Sequence, residues 1–355
     1  MRIQHLDGLR GIAIILVVLF HAYAGWPEHV PYGSTYAEVS IFKLGWLGVE
    51  LFFLVSGFVI AITLEKTESF KHFIYKRWLR LFPAMLIASV LIYATLGIFH
   101  ERPDGIPPNI FSLLPGLTFT NWWPKLFNFE IPHLEIAFWT LYIEFKFYVI
   151  AGVTYYFLGR KFLIPVLVFL FASWVIMYSS YALLEFELLR VLLSIGNLLS
   201  LKHFGWFAAG SIYYSYYKTG ERKWLIASWL LILLSATTVR IEVEAFNYAN
   251  ILGALAVSTL FILSFKHTFL QRILQSKILL FFGLISYPLY LIHNNAMISM
   301  IIKTETAFPW LHPFLYPYPA IICVVLIAYI IAKHLEPQLG RLLRFKASDR
   351  RYKTN

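Results

Sequence analysis

A polytopic, all-α helix bundle embedded in a membrane is the fold the sequence predicts, on three observations. Of the 355 residues, 59% are hydrophobic and only 14% are charged. Aromatic residues make up 18% of the chain, and the mean hydropathy is +0.68. A soluble domain carries roughly a quarter charged residues, so this chain lacks the polar side chains to clothe a water-facing surface. The same arithmetic excludes disorder, collagen-like repeats and coiled coil. The single cysteine, Cys323, has no internal disulfide partner, and metal sites built on cysteine clusters are excluded with it.

A helix that crosses about 30 Å of hydrocarbon needs roughly 20 mostly apolar residues. Qualifying runs lie at 8–26, 44–64, 81–99, 136–158, 162–180, 203–217, 224–240, 247–265, 278–302 and 319–335, which makes ten spans. The sixth is short and rich in tyrosine. The apolar stretch 181–202 is broken by Glu185, Glu187 and Arg190. It reads as an interfacial or re-entrant helix, with an eleventh span as the alternative. The first run has the layout of a signal peptide, but His21 and Trp26 stand where a small-residue cleavage site belongs, so it reads as the first span.

Lys and Arg fix the orientation. Twenty-one fall in the N-terminus and even-numbered loops, and 7 in the odd-numbered loops. Eleven acidic residues lie in the odd loops, among them Glu28, Glu38, Asp104, Glu242 and Glu244. Positive-inside topology therefore places both termini in the cytoplasm. The net charge of +11 reflects that bias rather than a nucleic-acid partner. Residues 1–340 read as one transmembrane domain and 341–355 as a basic cytoplasmic tail. The longest outer loop, 100–135, holds six prolines and the pair Trp122-Trp123, so it is expected to pack over the bundle.

Ionisable groups within hydrocarbon are costly and mark function. In span 1, Arg10 and His21 are eleven residues apart. That spacing returns to nearly the same helix face with a rise of about 16 Å. Glu144, in Trp139-Thr140-Leu141-Tyr142-Ile143-Glu144, lies in the outer half of span 4 and must pair, accept hydrogen bonds or be protonated. Lys146, two residues away, does not share its face, so a histidine such as His21 is the better partner. Glu50, in GVELFFLVSGF with Ser56, lies at a similar depth as a structural bridge or a functional group.

Arg77 and Arg80, three apart, share a helix face at the cytoplasmic boundary. Guanidinium pairs suit phosphate oxygens, and equally the headgroups of lipids. Span 9 reads Ser286-Tyr287-Pro288-Leu289-Tyr290-Leu291-Ile292-His293. A mid-span proline is tolerated where the helix lines a cavity. Tyr290 and His293 share a face, and His293 is either a second residue of the catalytic path or a structural hydrogen-bonder.

Taken together these stretches resemble the acyltransferase-3 family of bacterial membrane O-acyltransferases. The matching pieces are LDGLRGIAIILVVLFH, GVELFFLVSGF, the RxxRLFP turn, WTLYIEFKFY, SYPLYLIH and Glu336-Pro337, in family order along nearly the whole chain. The resemblance implies transfer of an acyl group, commonly acetyl, from cytoplasmic acyl-coenzyme A to a hydroxyl of a sugar or other envelope molecule. Arg10, Arg77 and Arg80 would hold the coenzyme phosphates. His21 would act as base or acyl carrier, with Glu144 setting its tautomer. Glu50, Ser56, Trp139, Ser286, Tyr287, Tyr290 and His293 would line or support the substrate path. No metal is expected, and membrane lipids and a glycan or lipid-linked sugar are the other partners. The chain departs from some relatives in lacking a C-terminal hydrolase-like domain, and from many in having Glu rather than Asp at position 50.

Two rival classes remain at this level. In a proton-coupled transporter, Glu50, Glu144, His21 and His293 would form a relay, but the two halves show no repeat correspondence. A non-catalytic subunit of a polysaccharide export complex is the other.

Overall fold

The computed structural model describes residues 3–103, 105–121, 130–238 and 247–352, with backbone alone for 345–352. Asp104, Trp122, Trp123, Glu242 and Glu244 lie outside the described residues. The described chain is helical, with no strand. Its main helices are α1 (Gln4–Tyr23), α2 (Leu47–Glu65), α3 (Phe70–Ala94), α4 (Trp139–Val153), α5 (Leu163–Leu184), α6 (Glu187–Leu198), α7 (Phe204–Thr219), α8 (Arg222–Thr238), α9 (Tyr248–Leu263), α10 (Lys277–Ala307), α11 (Pro317–Ile330) and α12 (Glu336–Tyr352).

Each of the ten apolar stretches is helical, but they differ in reach. Seven helical runs have the length and apolarity to cross a membrane: Gln4–Tyr23, Leu47–Glu65, Phe70–Ala94, Ile136–Leu158, Arg160–Leu184, Lys277–Ala307 and Pro313–Arg344. An eighth forms only if α9 and the short helix Thr268–Leu274 count together, and these are bent by 104°. α7 and α8 have 16 and 17 residues. α5 leaves Phe169, Ile176 and Leu183 more than half exposed, a face that hydrocarbon solvates and water does not.

One expectation is corrected, and one alternative is set aside. The Arg77–Arg80 segment is not a turn: α3 begins at Phe70 and runs unbroken past both arginines, with Pro83 inside it. Its basic residues lower the hydropathy without lowering helix propensity, because Lys and Arg are good helix formers. The eleventh span is excluded, since α6 has 12 residues and extends only about 18 Å.

The chain packs as two compact units, one of residues 1–9, 47–75 and 140–275, the other of 10–46, 76–139 and 276–355. In the first, α2 and α7 approach backbone to backbone. A Cβ on Gly57 would lie 2.0 Å from the Phe207 carbonyl oxygen, and one on Gly210 would lie 2.1 Å from that of Leu54. Ser211 Oγ donates to Gly57 O at 3.0 Å. Small residues at a membrane helix interface allow this approach, and packing then supplies the attraction that hydrophobicity does not. Phe147 stacks on Phe207 at 4.1 Å beside that seam. In the second unit α10 packs along α11, and Leu289, Ile298 and Ile301 on the one and Val324 and Ala328 on the other are buried.

Gly57→Val forces backbone against backbone and is expected to cost about 1–3 kcal/mol or more. Thermal unfolding in detergent should show a lowered midpoint, whereas Gly340→Val, where an added Cβ meets nothing within 4 Å, should leave it unchanged. Equal midpoints would refute the close-packed seam.

Candidate active site

The second unit holds most of the residues that sequence singles out. α1 is brought to α10 by Gly11: a Cβ there would lie 2.2 Å from the Leu279 carbonyl oxygen and 3.2 Å from the Gly283 nitrogen. The second glycine of the LDGLRG stretch thus lets the helix carrying Arg10 and His21 lie directly on the one carrying His293. Eleven residues of continuous helix separate Arg10 from His21, so the rise of about 16 Å between them is retained.

At that height the two histidines meet. His293 Nε2 lies 3.2 Å from His21 Nδ1, with ring centroids 4.8 Å apart and planes at 75°. His293 is fully buried and His21 half-buried. Their neighbours decide the tautomers. His293 Nδ1 lies 2.9 Å from the Tyr290 carbonyl oxygen, which only accepts, so Nδ1 carries the hydrogen and Nε2 of the neutral ring is an acceptor. His21 Nδ1 lies 2.9 Å from the Val17 carbonyl oxygen, another acceptor, so its hydrogen is shared between that oxygen and His293 Nε2. His21 Nε2 is then the unprotonated nitrogen, a lone pair available for proton abstraction or nucleophilic attack.

A polar network surrounds the pair. Trp26 Nε1 donates to Asn294 Oδ1 at 2.8 Å, and Asn294 Nδ2 donates to Glu135 Oε1 at 3.1 Å. The Asn295 backbone N–H donates to Glu135 Oε2 at 3.2 Å. Arg102 donates to the carbonyl oxygens of His133 and Leu134 at 3.0 and 2.6 Å. Burial pushes the Glu135 carboxyl up to about 7, against the pull of Asn294, Asn295 and the Arg102 guanidinium. The segment that ends at Glu135 is therefore fastened to α10. Toward the other end of α10, Tyr287 OH donates to Leu81 O at 2.9 Å, and Ser286 Oγ to Gly283 O at 2.9 Å. Arg80 pairs with Glu336 at 3.4 Å and lies 5.7 Å over the Tyr287 ring. Arg77 is half-buried on the same helix as Arg80.

A family model for an acyltransferase domain matches residues 3–333. The chain belongs to the acyltransferase-3 family. Among curated relatives it is 30% identical over 166 residues to the peptidoglycan O-acetyltransferase OatA of Listeria monocytogenes, covering 42% of this chain and 23% of the relative. It is 30% identical over 184 residues to the O-acetyl transferase of Shigella phage Sf6, covering 47% and 51%. It is 25% identical over 301 residues to a putative acetyltransferase of Acidianus two-tailed virus, covering 80% of both. The chain spans about half or less of the length of the first two. No solved structure matches. The chain thus joins membership of an acyltransferase family to seven helical runs long and apolar enough to cross a membrane.

Of the remaining candidates, Glu50, Ser56 and Glu144 belong to the first unit. Glu144 accepts from Ser56 Oγ at 2.9 Å and from Tyr148 OH, whereas the bonds of His21 go to Val17 O and His293. Lys146 turns away from Glu144, as helix geometry requires, and donates to Leu198 O at 2.7 Å and Ser200 Oγ at 3.1 Å. Glu50 is buried beside the charge of Lys202, and its Oε2 has no hydrogen-bond partner among the described residues. Trp139, in the second unit, opens α4 and is 40% exposed. Among the described residues no group of three or more His, Cys, Asp or Glu side chains is placed to hold a metal ion. Sequence reasoning missed Glu135, Asn294 and Trp26 as partners of one another. The signal available was Asn294-Asn295 directly after His293, two amides within an apolar run.

His293→Leu removes the acceptor for His21 Nδ1–H and is expected to lower turnover by roughly five- to a hundredfold, the worth of a buried hydrogen bond of about 1–3 kcal/mol. His293→Gln, whose amide oxygen accepts, should retain more. Steady-state kinetics of the two variants check this, and equal losses would refute the acceptor role.

Proposed function

We propose that the chain is an O-acyltransferase that moves an acyl group, acetyl being the simplest, from acyl-coenzyme A to a hydroxyl of a cell-envelope glycan or lipid-linked sugar. The bare Nε2 of His21 carries this reading, supported by family membership and by the O-acetyltransferase names of the relatives. Arg10, Arg77 and Arg80 bind the coenzyme phosphates, and the pantetheine arm extends along α1 toward His21. His21 Nε2 takes the proton of the acceptor hydroxyl as its oxygen attacks the thioester carbonyl carbon. The C–S bond then breaks, and the imidazolium returns the proton to the leaving thiolate. Attack by Nε2 itself, through an acyl-imidazole, starts from the same lone pair. His293 takes the orienting role, and Glu144, already held by Ser56 and Tyr148, is a supporting polar group.

His21→Ala is expected to lower transfer by a factor of about a hundred to ten thousand while acyl-coenzyme A still binds. Arg77→Ala and Arg80→Ala should reverse that pattern, each weakening donor binding roughly tenfold or more, because each removes charge-assisted bonds to phosphate. Glu144→Gln should cost less than His21→Ala. Release of free thiol from acetyl-coenzyme A, read beside donor affinity, separates these outcomes. A His21→Ala protein that folds and transfers at near wild-type rate sinks the assignment. Unchanged donor affinity in both arginine variants returns that pair to a lipid contact.

The 21-to-7 split of basic residues supports cytoplasmic termini and insertion in the bacterial inner membrane. Cysteines introduced at 105–121 should react with an impermeant thiol reagent on intact cells, and cysteines at 341–352 only after permeabilisation. The opposite pattern would invert the orientation.

A further inference from the structure

Glu135 is 2% exposed, and three N–H donors converge on it: Asn294 Nδ2 and the backbone N–H groups of Asn295 and Ala137. It belongs to no motif, and the transfer mechanism above does not use it. Its position in the second unit gives it work. Pro288 sits five residues before His293 inside α10 and removes the N–H that would bond the Leu284 carbonyl, so the helix is weakened on one side of the histidine. Glu135 fastens the other side at residues 294 and 295.

The bonds also have a direction. Trp26 Nε1 can only donate, so it fixes Asn294 Oδ1 toward itself. Asn294 Nδ2 must then face Glu135, which as a carboxylate only accepts. Trp26 lies five residues beyond His21, just past the end of α1. One amide therefore ties the end of the His21 helix to the segment that carries His293, and the Glu135 carboxylate sets which way that amide points. Arg102, which donates to the two carbonyls preceding Glu135, holds the carboxylate's own segment.

We propose that Glu135 is a positioning residue for the His21–His293 pair, acting through Asn294 and Trp26. It holds the two helices at the height where His21 Nδ1 meets His293 Nε2, and without it His21 loses that acceptor and its ring is held by the Val17 carbonyl oxygen alone. The inference rests on His21 being the base of the transfer reaction.

The swap of an amide and a carboxylate tests it. In Glu135→Gln, the introduced amide oxygen can accept from Asn295 N–H only by turning its own NH2 toward that of Asn294. If Asn294 flips instead, its NH2 meets Trp26 Nε1–H. In Asn294→Asp, two carboxylates face each other in a buried site. The double variant, Glu135→Gln with Asn294→Asp, exchanges the two groups. The introduced carboxylate then accepts from Trp26 and from the introduced NH2, while the introduced amide oxygen accepts from Asn295. Every donor but the Ala137 N–H, whose 3.5 Å bond is the longest of the three, again meets an acceptor. Trp26→Phe removes the first donor while keeping a ring, and serves where a buried charge change prevents folding.

The full-length protein is assayed in detergent with acetyl-coenzyme A and envelope glycan, following thiol release, with His21→Ala alongside. Glu135→Gln, Asn294→Asp and Trp26→Phe are each expected to lower kcat roughly tenfold or more, with KM for acetyl-coenzyme A unchanged. The double variant is expected to recover most of the loss. Single variants with wild-type kcat, or a double variant whose loss is the product of the single losses, would overturn the positioning role. So would a KM change as large as the kcat change. If His21→Ala itself turns over normally, the base assignment fails instead, a result the Glu135 variants cannot mimic.

Discussion

The hydrogen bond between His21 Nδ1 and His293 Nε2 is the interaction on which the chemistry proposed for the second unit depends. An isolated neutral imidazole divides its hydrogen between two nitrogens, and only one of the two forms presents a base at Nε2. Here the choice is made by backbone carbonyls at one remove. The Tyr290 carbonyl oxygen assigns the hydrogen of His293, and His293 with the Val17 carbonyl oxygen assigns that of His21. Both carbonyls lie within helices, so the orienting groups carry no charge. A carboxylate in their place would bring a full negative charge into hydrocarbon and require a counterion.

That economy extends through the chain. Hydroxyls within the helices mostly donate to carbonyls three or four residues back, as Ser211, Ser235, Ser258 and Ser286 do. Charged groups that sit deeper are given neutral hydrogen-bonding partners. Glu144 takes two hydroxyl donors, and Lys146 closes on the last carbonyl of α6 and on the Ser200 hydroxyl. Full ion pairs gather at helix ends, as where Glu65 at the end of α2 meets both Arg160 and Lys218. Glu50 departs from the pattern, with one buried oxygen that has no partner among the described residues.

The helices were legible because span length and hydropathy follow from bilayer thickness, and the ten stretches and their helices agree to within a few residues at most ends. α3 was not, since its first three turns carry Lys71, Lys76, Arg77 and Arg80, and a hydropathy reading takes such charge for loop. The Arg10–His21 relation was legible because both lie on one helix, whose geometry fixes their offset. Pairing between helices was not: nothing in a single sequence says that position 21 meets position 293, and Glu144 looked the better partner because carboxylate and imidazole complement each other chemically. Gly11 held the missing information in latent form. Only the backbone of α10 passing against it shows that the glycine is required for approach rather than for a turn.

The Arg80–Glu336 contact bears on how the family's two separated motifs act together. At 3.4 Å, with Arg80 nearly half exposed and Glu336 one-fifth exposed, it is a long, partly solvated bridge of a kind worth well under about 1 kcal/mol. A bridge that weak does not consume the guanidinium. It keeps Arg80 extended over Tyr287, removes part of the side-chain entropy that binding would otherwise cost, and yields when a stronger anion arrives. A phosphate accepts bidentate bonds from the same planar fork and carries more charge than the carboxylate it displaces. On the proposal that Arg80 holds a donor phosphate, Glu336 is a placeholder counterion, and the Arg-x-x-Arg and Glu-Pro stretches, 256 residues apart in sequence, serve one end of the same unit.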